Sequence, residues 1–148
     1  MAKIISFDLH DTIIVFKTGG KMIKKKFFYI IFCFLSNFKT FIFTYTFFCK
    51  RNEKVIELMK RSRIEGNKII ILTYTNQRCA KIIYYFLKRN NIDYYDEVIF
   101  RKKFWQKEGE YKVREIKKNN IDLHYDNSAE ACAEINKFKN NSCIVVSK

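Results

Sequence analysis

Proline is absent from the 148 residues, and no linker, internal repeat or low-complexity tract divides them. A length of about one domain and an apolar share of 48% point to a single globular unit over residues 1–148, with a core of its own. Also missing is any Cys-x-x-Cys pair among Cys33, Cys49, Cys79, Cys132 and Cys143. That spacing offers no zinc site and no obvious disulfide framework, so reduced thiols in a cytoplasm-like compartment are expected. The N-terminus lacks the layout of a signal peptide, because Lys3-Ile4-Ile5-Ser6-Phe7 reads as a strand at once. Acidic residues are scarce, 15 against 29 Lys and Arg, for a net charge of +14. Such a charge can hold a protein near nucleic acid, anionic lipid or anionic substrates. Here Lys is scattered along the whole chain beside abundant Asn, Ile, Phe and Tyr, all with AT-rich codons. The base composition of the gene accounts for much of the charge, and a dedicated nucleic-acid role is the lesser reading.

What is present is an alternation. Residues 2–8, 68–73, 97–100, 121–125 and 143–146 read as short buried strands, apolar and β-branched. Helical patterns fall between them at 53–65, 77–90, 109–119 and 128–138. Strands alternating with helices predict an α/β fold, a three-layer Rossmann-like parallel sheet with helices on both faces. Ligands of such sheets bind at the carboxyl ends of the strands, where Asp8, Thr73 and Asp126 fall.

Those strand ends carry motifs. Ile4-Ile5-Ser6-Phe7-Asp8-Leu9-His10-Asp11-Thr12 resembles the first motif of the haloacid dehalogenase (HAD) superfamily, a hydrophobic strand followed by Asp-x-Asp-x-Thr. Ile69-Ile70-Ile71-Leu72-Thr73 resembles the second, a Thr or Ser closing a core strand, and Lys112 resembles the lysine of the third. Asp122-Leu123-His124-Tyr125-Asp126-Asn127-Ser128-Ala129-Glu130 resembles the acidic fourth. The resemblance covers the chain except roughly residues 14–52. It implies a HAD-like fold and phosphatase chemistry. Asp8 is then the nucleophile that forms an aspartyl-phosphate, Thr73 a donor to a phosphoryl oxygen, and Lys112 the balancing charge. Mg2+ is the implied cofactor, held by Asp8, the main-chain carbonyl of His10 and Asp126. Lys102 and Lys103 compete with Lys112, which is preferred as the opening of the helix before the Asp126 strand. Glu130 is either a supporting acid or an exposed helix position.

His10 departs from the pattern, which has Asp two residues after the nucleophile. Three readings stand open. His10 takes over the acid/base role, as imidazole titrates near neutrality; or the phosphoenzyme forms and hydrolyses slowly; or the site is degenerate and the fold is kept for binding. Asn127 is a second departure, at a position often acidic in the superfamily. His124 shares the face of Asp126, so a His10–His124 metal pair is conceivable, although a packed histidine is the plainer reading.

Residues 14–52 stand where this superfamily inserts a cap, here expected as a short helical hairpin over 27–49 turning near Ser36-Asn37. It is strongly apolar and aromatic, with Lys24, Lys25 and Lys26 before it and Lys50 and Arg51 after. One transmembrane span would separate Asp8 from Thr73, and two need about 40 apolar residues, more than the segment has. It therefore packs on the core or on another chain, or lies shallowly in a membrane interface. Two functions follow: a Mg2+-dependent phosphatase of a phosphomonoester, small or lipid-linked or, favoured only by the basic charge, a nucleotide or nucleic-acid phosphate end, in the cytoplasm or on the cytoplasmic face of a membrane; or an impaired module that binds a membrane or protein through 27–49.

Overall fold

Strand β4 (Lys68–Asn76) shows how the layers form, because it is buried on both faces. Ile69 and Ile71 face one core, with Ile5 and Phe7. Ile70 and Leu72 face the other. Such near-continuous apolar strands belong to parallel sheets covered on both sides. The protein is described here from a computed structural model, covering residues 2–17, 35, 38–103 and 106–146.

Five strands form the main sheet: β1 (Ile4–Phe7), β4, β5 (Glu97–Arg101), β6 (Leu123–Asp126) and β7 (Cys143–Val145), in the order β5-β4-β1-β6-β7. All four pairings are parallel. The chain leaves β1 for β4 and β5 on one side, then returns to β6 and β7 on the other. The switch in direction beside β1 marks the carboxyl ends of β1 and β6 as the place where such sheets bind ligands. Helices α2 (Glu53–Ile64) and α3 (Ala80–Arg89) cover one face through Val55, Ile56, Met59, Ile82, Ile83 and Phe86. Helices α4 (Glu108–Lys118) and α5 (Ala129–Phe138) cover the other through Tyr111, Ile116, Cys132 and Ile135. Gly66, at φ +80°, supplies the left-handed residue between α2 and β4.

Two strands went unforeseen. β2 (Ile14–Phe16) and β3 (Cys49–Arg51) form an antiparallel ribbon, with Ile14 opposite Arg51 and Phe16 opposite Cys49. At three residues each they are too short to show an alternation. Helix α1 (Lys39–Phe48) precedes β3, buries Ile42, Tyr45 and Thr46, and leaves Phe43, Phe47 and Phe48 exposed. The expected hairpin over 27–49 lies partly outside the described residues, as does its turn at Ser36-Asn37. Among the described residues no helix is long and apolar enough to cross a membrane.

The cysteine reading needs correction. Cys132 of α5 and Cys143 of β7 form a disulfide, and Cys79 is also disulfide-bonded, while Cys49 is a free, buried thiol. Spacing gave no hint, because the 11-residue separation closes only when α5 turns back to β7 and brings the two Cα atoms to 5.1 Å.

Candidate active site

Asp8 directly follows β1, and its main-chain N–H donates to Tyr125 O at 2.8 Å. The chain then turns sharply. Leu9 O accepts from the N–H groups of Ile13 and Ile14, and Asp11 takes the left-handed φ of 62°. The turn brings Thr12 back toward the carboxylate, with Oγ1 3.5 Å from Asp8 Oδ2 and 3.4 Å from Asn127 Oδ1.

Lys112 reaches the same point from the opposite layer. Helix α4 buries Tyr111, Lys112, Glu115 and Ile116, the i, i+1, i+4, i+5 face of a helix on a sheet. Lys112 sits in the second turn of α4, which begins at Glu108, close to the helix expected over 109–119, so Lys112 does not open the helix. Its ammonium lies 3.0 Å from Asp8 Oδ1, 2.6 Å from Asp126 Oδ2 and 2.8 Å from Glu108 Oε1. Lys102 and Lys103 are exposed beyond the end of β5. Asp126 is fixed further: Oδ1 accepts from Ser128 N at 2.9 Å, and Oδ2 lies 3.1 Å from His124 Nε2. His124 is fully buried, with Nδ1 2.8 Å from Ser6 Oγ. Glu130 is exposed and stands apart from this cluster.

The electrostatics follow from one ammonium serving several carboxylates in a dry place. Burial pushes Asp8 up to about 7; Lys112 opposes the shift, and Asp126 and Glu108 add to it. Asp126 stays well below the usual carboxylate range despite its burial, because His124 and Lys112 bind it. Burial would strip Lys112 of its proton, but Asp8, Asp126 and Glu108 hold it firmly charged. The cluster is therefore short of positive charge. Two buried carboxylates, Asp8 and Asp126, are hard oxygen donors of the kind Mg2+ takes, so the residues fit that ion. No group of three or more His, Cys, Asp and Glu side chains among the described residues is arranged to hold a metal. A site here would thus draw on main-chain oxygen and water as well.

His10 and His124 do not meet as a metal pair. His124 faces Ser6 and Asp126, whereas His10 Nε2 lies 2.9 Å from Tyr45 OH and its Nδ1 3.1 Å from Thr75 Oγ1. Burial lowers His10 to about 4, Lys112 adding to the effect and Asp11 opposing it. The imidazole is neutral at pH 7, and a hydroxyl occupies each ring nitrogen. Thr73, expected to close its strand, lies three residues before the end of β4, which runs on to Asn76; it is buried, donates to Thr75 Oγ1 at 3.0 Å and accepts from Thr75 N at 3.1 Å. Tyr45, Thr75, Ser6 and Glu108 were missed from sequence. Only Glu108, four residues before Lys112, carried a local signal.

No protein-family model matches the chain, and no curated protein matches it. Solved structures do. A chain of the Pnkp1/Rnl/Hen1 RNA repair complex superposes with TM-score 0.74 at 16% identity over 99% of this chain. This chain spans 42% of that one's length. A putative β-phosphoglucomutase from Thermotoga maritima gives TM-score 0.65 at 14% identity, over 99% of this chain and 86% of the other. A HAD family enzyme from Bacteroides thetaiotaomicron, an aspartate-to-alanine mutant in complex with magnesium and inorganic phosphate, gives TM-score 0.56 at 12% identity, over 98% and 94% of the two chains. The chain has the HAD-like fold.

Proposed function

We propose that this protein is a Mg2+-dependent phosphatase that hydrolyses a phosphomonoester through Asp8. The observation that carries the reading is the buried contact of Lys112 with both Asp8 and Asp126 at the carboxyl ends of β1 and β6. Asp8 Oδ attacks phosphorus, and the bond from phosphorus to the leaving oxygen breaks as the aspartyl-phosphate forms. Thr73 donates a hydrogen bond to a phosphoryl oxygen, and Lys112 balances the charge that gathers there. Water then attacks phosphorus, inorganic phosphate leaves and Asp8 is regenerated. Mg2+, when bound by Asp8, Asp126 and the carbonyl of His10, supplies the charge that lets two anions approach.

His10 at about 4 is a poor proton donor at neutral pH, so the leaving group must either depart unassisted or take its proton from water. This supports slow turnover, and it keeps alive the second reading of an impaired binding module. For the substrate we favour the phosphorylated end of a nucleic acid. The support is the likeness to a chain of an RNA repair complex, and exposed Lys102 and Lys103 on the rim where the strands end. A small phosphorylated molecule and a lipid-linked phosphate are the alternatives.

Phosphate release from an aryl phosphate, with and without Mg2+, tests the chemistry in the natural protein, Asp8→Asn and His10→Asp. Mg2+-dependent release that vanishes in Asp8→Asn is expected, with faster turnover in His10→Asp. Failure of the natural protein with recovery in His10→Asp would mean a site silenced at one residue. No release from any of the three, nor from a phosphorylated oligonucleotide, would overturn the phosphatase reading. A phosphorylated oligonucleotide should exceed a sugar phosphate in kcat/KM, and the reverse order would remove the nucleic-acid substrate.

A further inference from the structure

The observation that leads beyond the phosphatase reading is a line of hydrogen bonds from the inserted helix to the second-motif threonine. Tyr45 of α1 lies 2.9 Å from His10 Nε2; His10 Nδ1 lies 3.1 Å from Thr75 Oγ1; Thr75 Oγ1 lies 3.0 Å from Thr73 Oγ1. Beyond Tyr45 the line continues to Cys49, whose thiol shares a hydrogen bond with the phenol. Tyr45, Thr73 and Thr75 are all at most 6% exposed, so water does not readily replace a member.

We propose that Tyr45 is a positioning residue for phosphoryl binding: through His10 and Thr75 it sets whether the hydroxyl of Thr73 is free to donate to a phosphoryl oxygen. The inference rests on the phosphatase reading, and it follows from proton accounting. Each hydroxyl has one proton, and above the ordinary histidine range an imidazole has one ring proton. Thr73 Oγ1 already accepts from Thr75 N at 3.1 Å. If Thr73 donates to a phosphoryl oxygen, its contact with Thr75 Oγ1 must be one in which Thr75 donates. Thr75 has then spent its proton and can only accept from His10, so the ring proton sits on Nδ1. Nε2 is left as an acceptor, and Tyr45 must donate to it, while the Cys49 thiol can donate to Tyr45 in turn. Without a phosphoryl group the whole line can run the other way, with Thr73 donating to Thr75. Occupation of the phosphoryl site and the donor sense of a tyrosine on the insertion are therefore one choice. Burial raises Tyr45 well above the usual phenol range, so the hydroxyl keeps its proton in either sense of the line.

The test uses the full chain at pH 8 with Mg2+, inorganic phosphate as the ligand, and 15N-labelled histidine. Only His10 and His124 contribute ring signals, and His10→Gln tells them apart. In the natural protein, phosphate should move the His10 ring proton to Nδ1, which requires no variant. Tyr45→Phe should leave a mixture of tautomers and weaken phosphate binding roughly fivefold, the worth of one hydrogen bond. Thr75→Val cuts the line, so in that background Tyr45→Phe should change affinity less than twofold, and Thr75→Ser should restore the difference. A His10 proton that ignores phosphate would overturn the proposal. So would an equal loss from Tyr45→Phe with and without Thr75, which would mark Tyr45 as merely structural. Phosphate that binds equally well to Thr73→Val, or not at all to the natural protein, would overturn the phosphatase reading and this inference with it.

Discussion

Lys112 Nζ lies 2.6 Å from Asp126 Oδ2, and neither side chain has any exposure to solvent. Removing one partner from such a pair costs more than the pair is worth, because the remaining charge is buried alone. Lys112→Met should therefore lower unfolding free energy by about 3 kcal/mol in the presence of EDTA, measured by urea denaturation. Part of the loss should return on adding Mg2+, which would supply positive charge to the same carboxylates. A loss below about 1 kcal/mol would mean that protons or water compensate the carboxylates, and that Lys112 does not hold the site together.

Asp8 makes the opposite prediction. Its carboxyl is raised to about 7 in the fold, chiefly by burial, against about 3.9 for an unfolded aspartate. Between those values the folded state binds more protons than the unfolded state, so stability falls as pH rises through this window. The penalty is absent below pH 4 and complete above pH 7. Asp8→Asn removes the penalty along with the nucleophile. The metal-free variant should gain on the order of 1–3 kcal/mol over the natural protein at pH 8, and nothing at pH 4. Thermal unfolding at the two pH values decides it, and an equal gain at both would trace the effect to something other than charge.

The disulfide gives a third. Joining Cys132 to Cys143 closes a short loop, with a separation of 11 residues, in the unfolded chain. The loop-closure argument assigns it about 2.5–3 kcal/mol. Cys132→Ala with Cys143→Ala should lose that amount in urea denaturation. Phosphate binding should change little, since the bridge ties α5 to β7 and not to Asp8 or Lys112. A large loss of phosphate binding would instead mean that the edge of the sheet sets the position of Asp126.

The parts of this fold that were legible before the structure are those with local signals. A strand such as Ile69–Leu72 is apolar along its length because both faces are covered, and α4 announces itself by a buried stripe. Asp8 and Asp126 were legible as strand ends in a parallel sheet. What was hidden depends on contacts distant in sequence. The ribbon of β2 and β3 pairs Phe16 with Cys49, and nothing in either three-residue segment demands a strand. Tyr45 reads as one more aromatic in a run of them. Its hydroxyl meets His10 only because α1 folds over the first turn, 35 residues back along the chain. The disulfide was hidden for the same reason.

Asp96 offers a test of the scaffold away from the site. It accepts both contacts of Arg63 Nη1, at 2.6 and 2.7 Å, and the main-chain N–H of Ile69 at 2.8 Å, so it ties the end of α2 to the start of β4. Burial alone would raise its pKa, but Arg63 and the Ile69 N–H outweigh that and lower it. A lowered folded value means a contribution to stability that is present above the unfolded value, near 3.9, and lost as pH falls through the folded one. Asp96→Asn should cost about 1 kcal/mol at pH 7, since the amide can still accept from Ile69 but no longer pairs with a guanidinium. The difference between variant and natural protein should shrink steadily below pH 4. A constant difference down to pH 2.5 would show that the charge of Asp96 is not what it contributes.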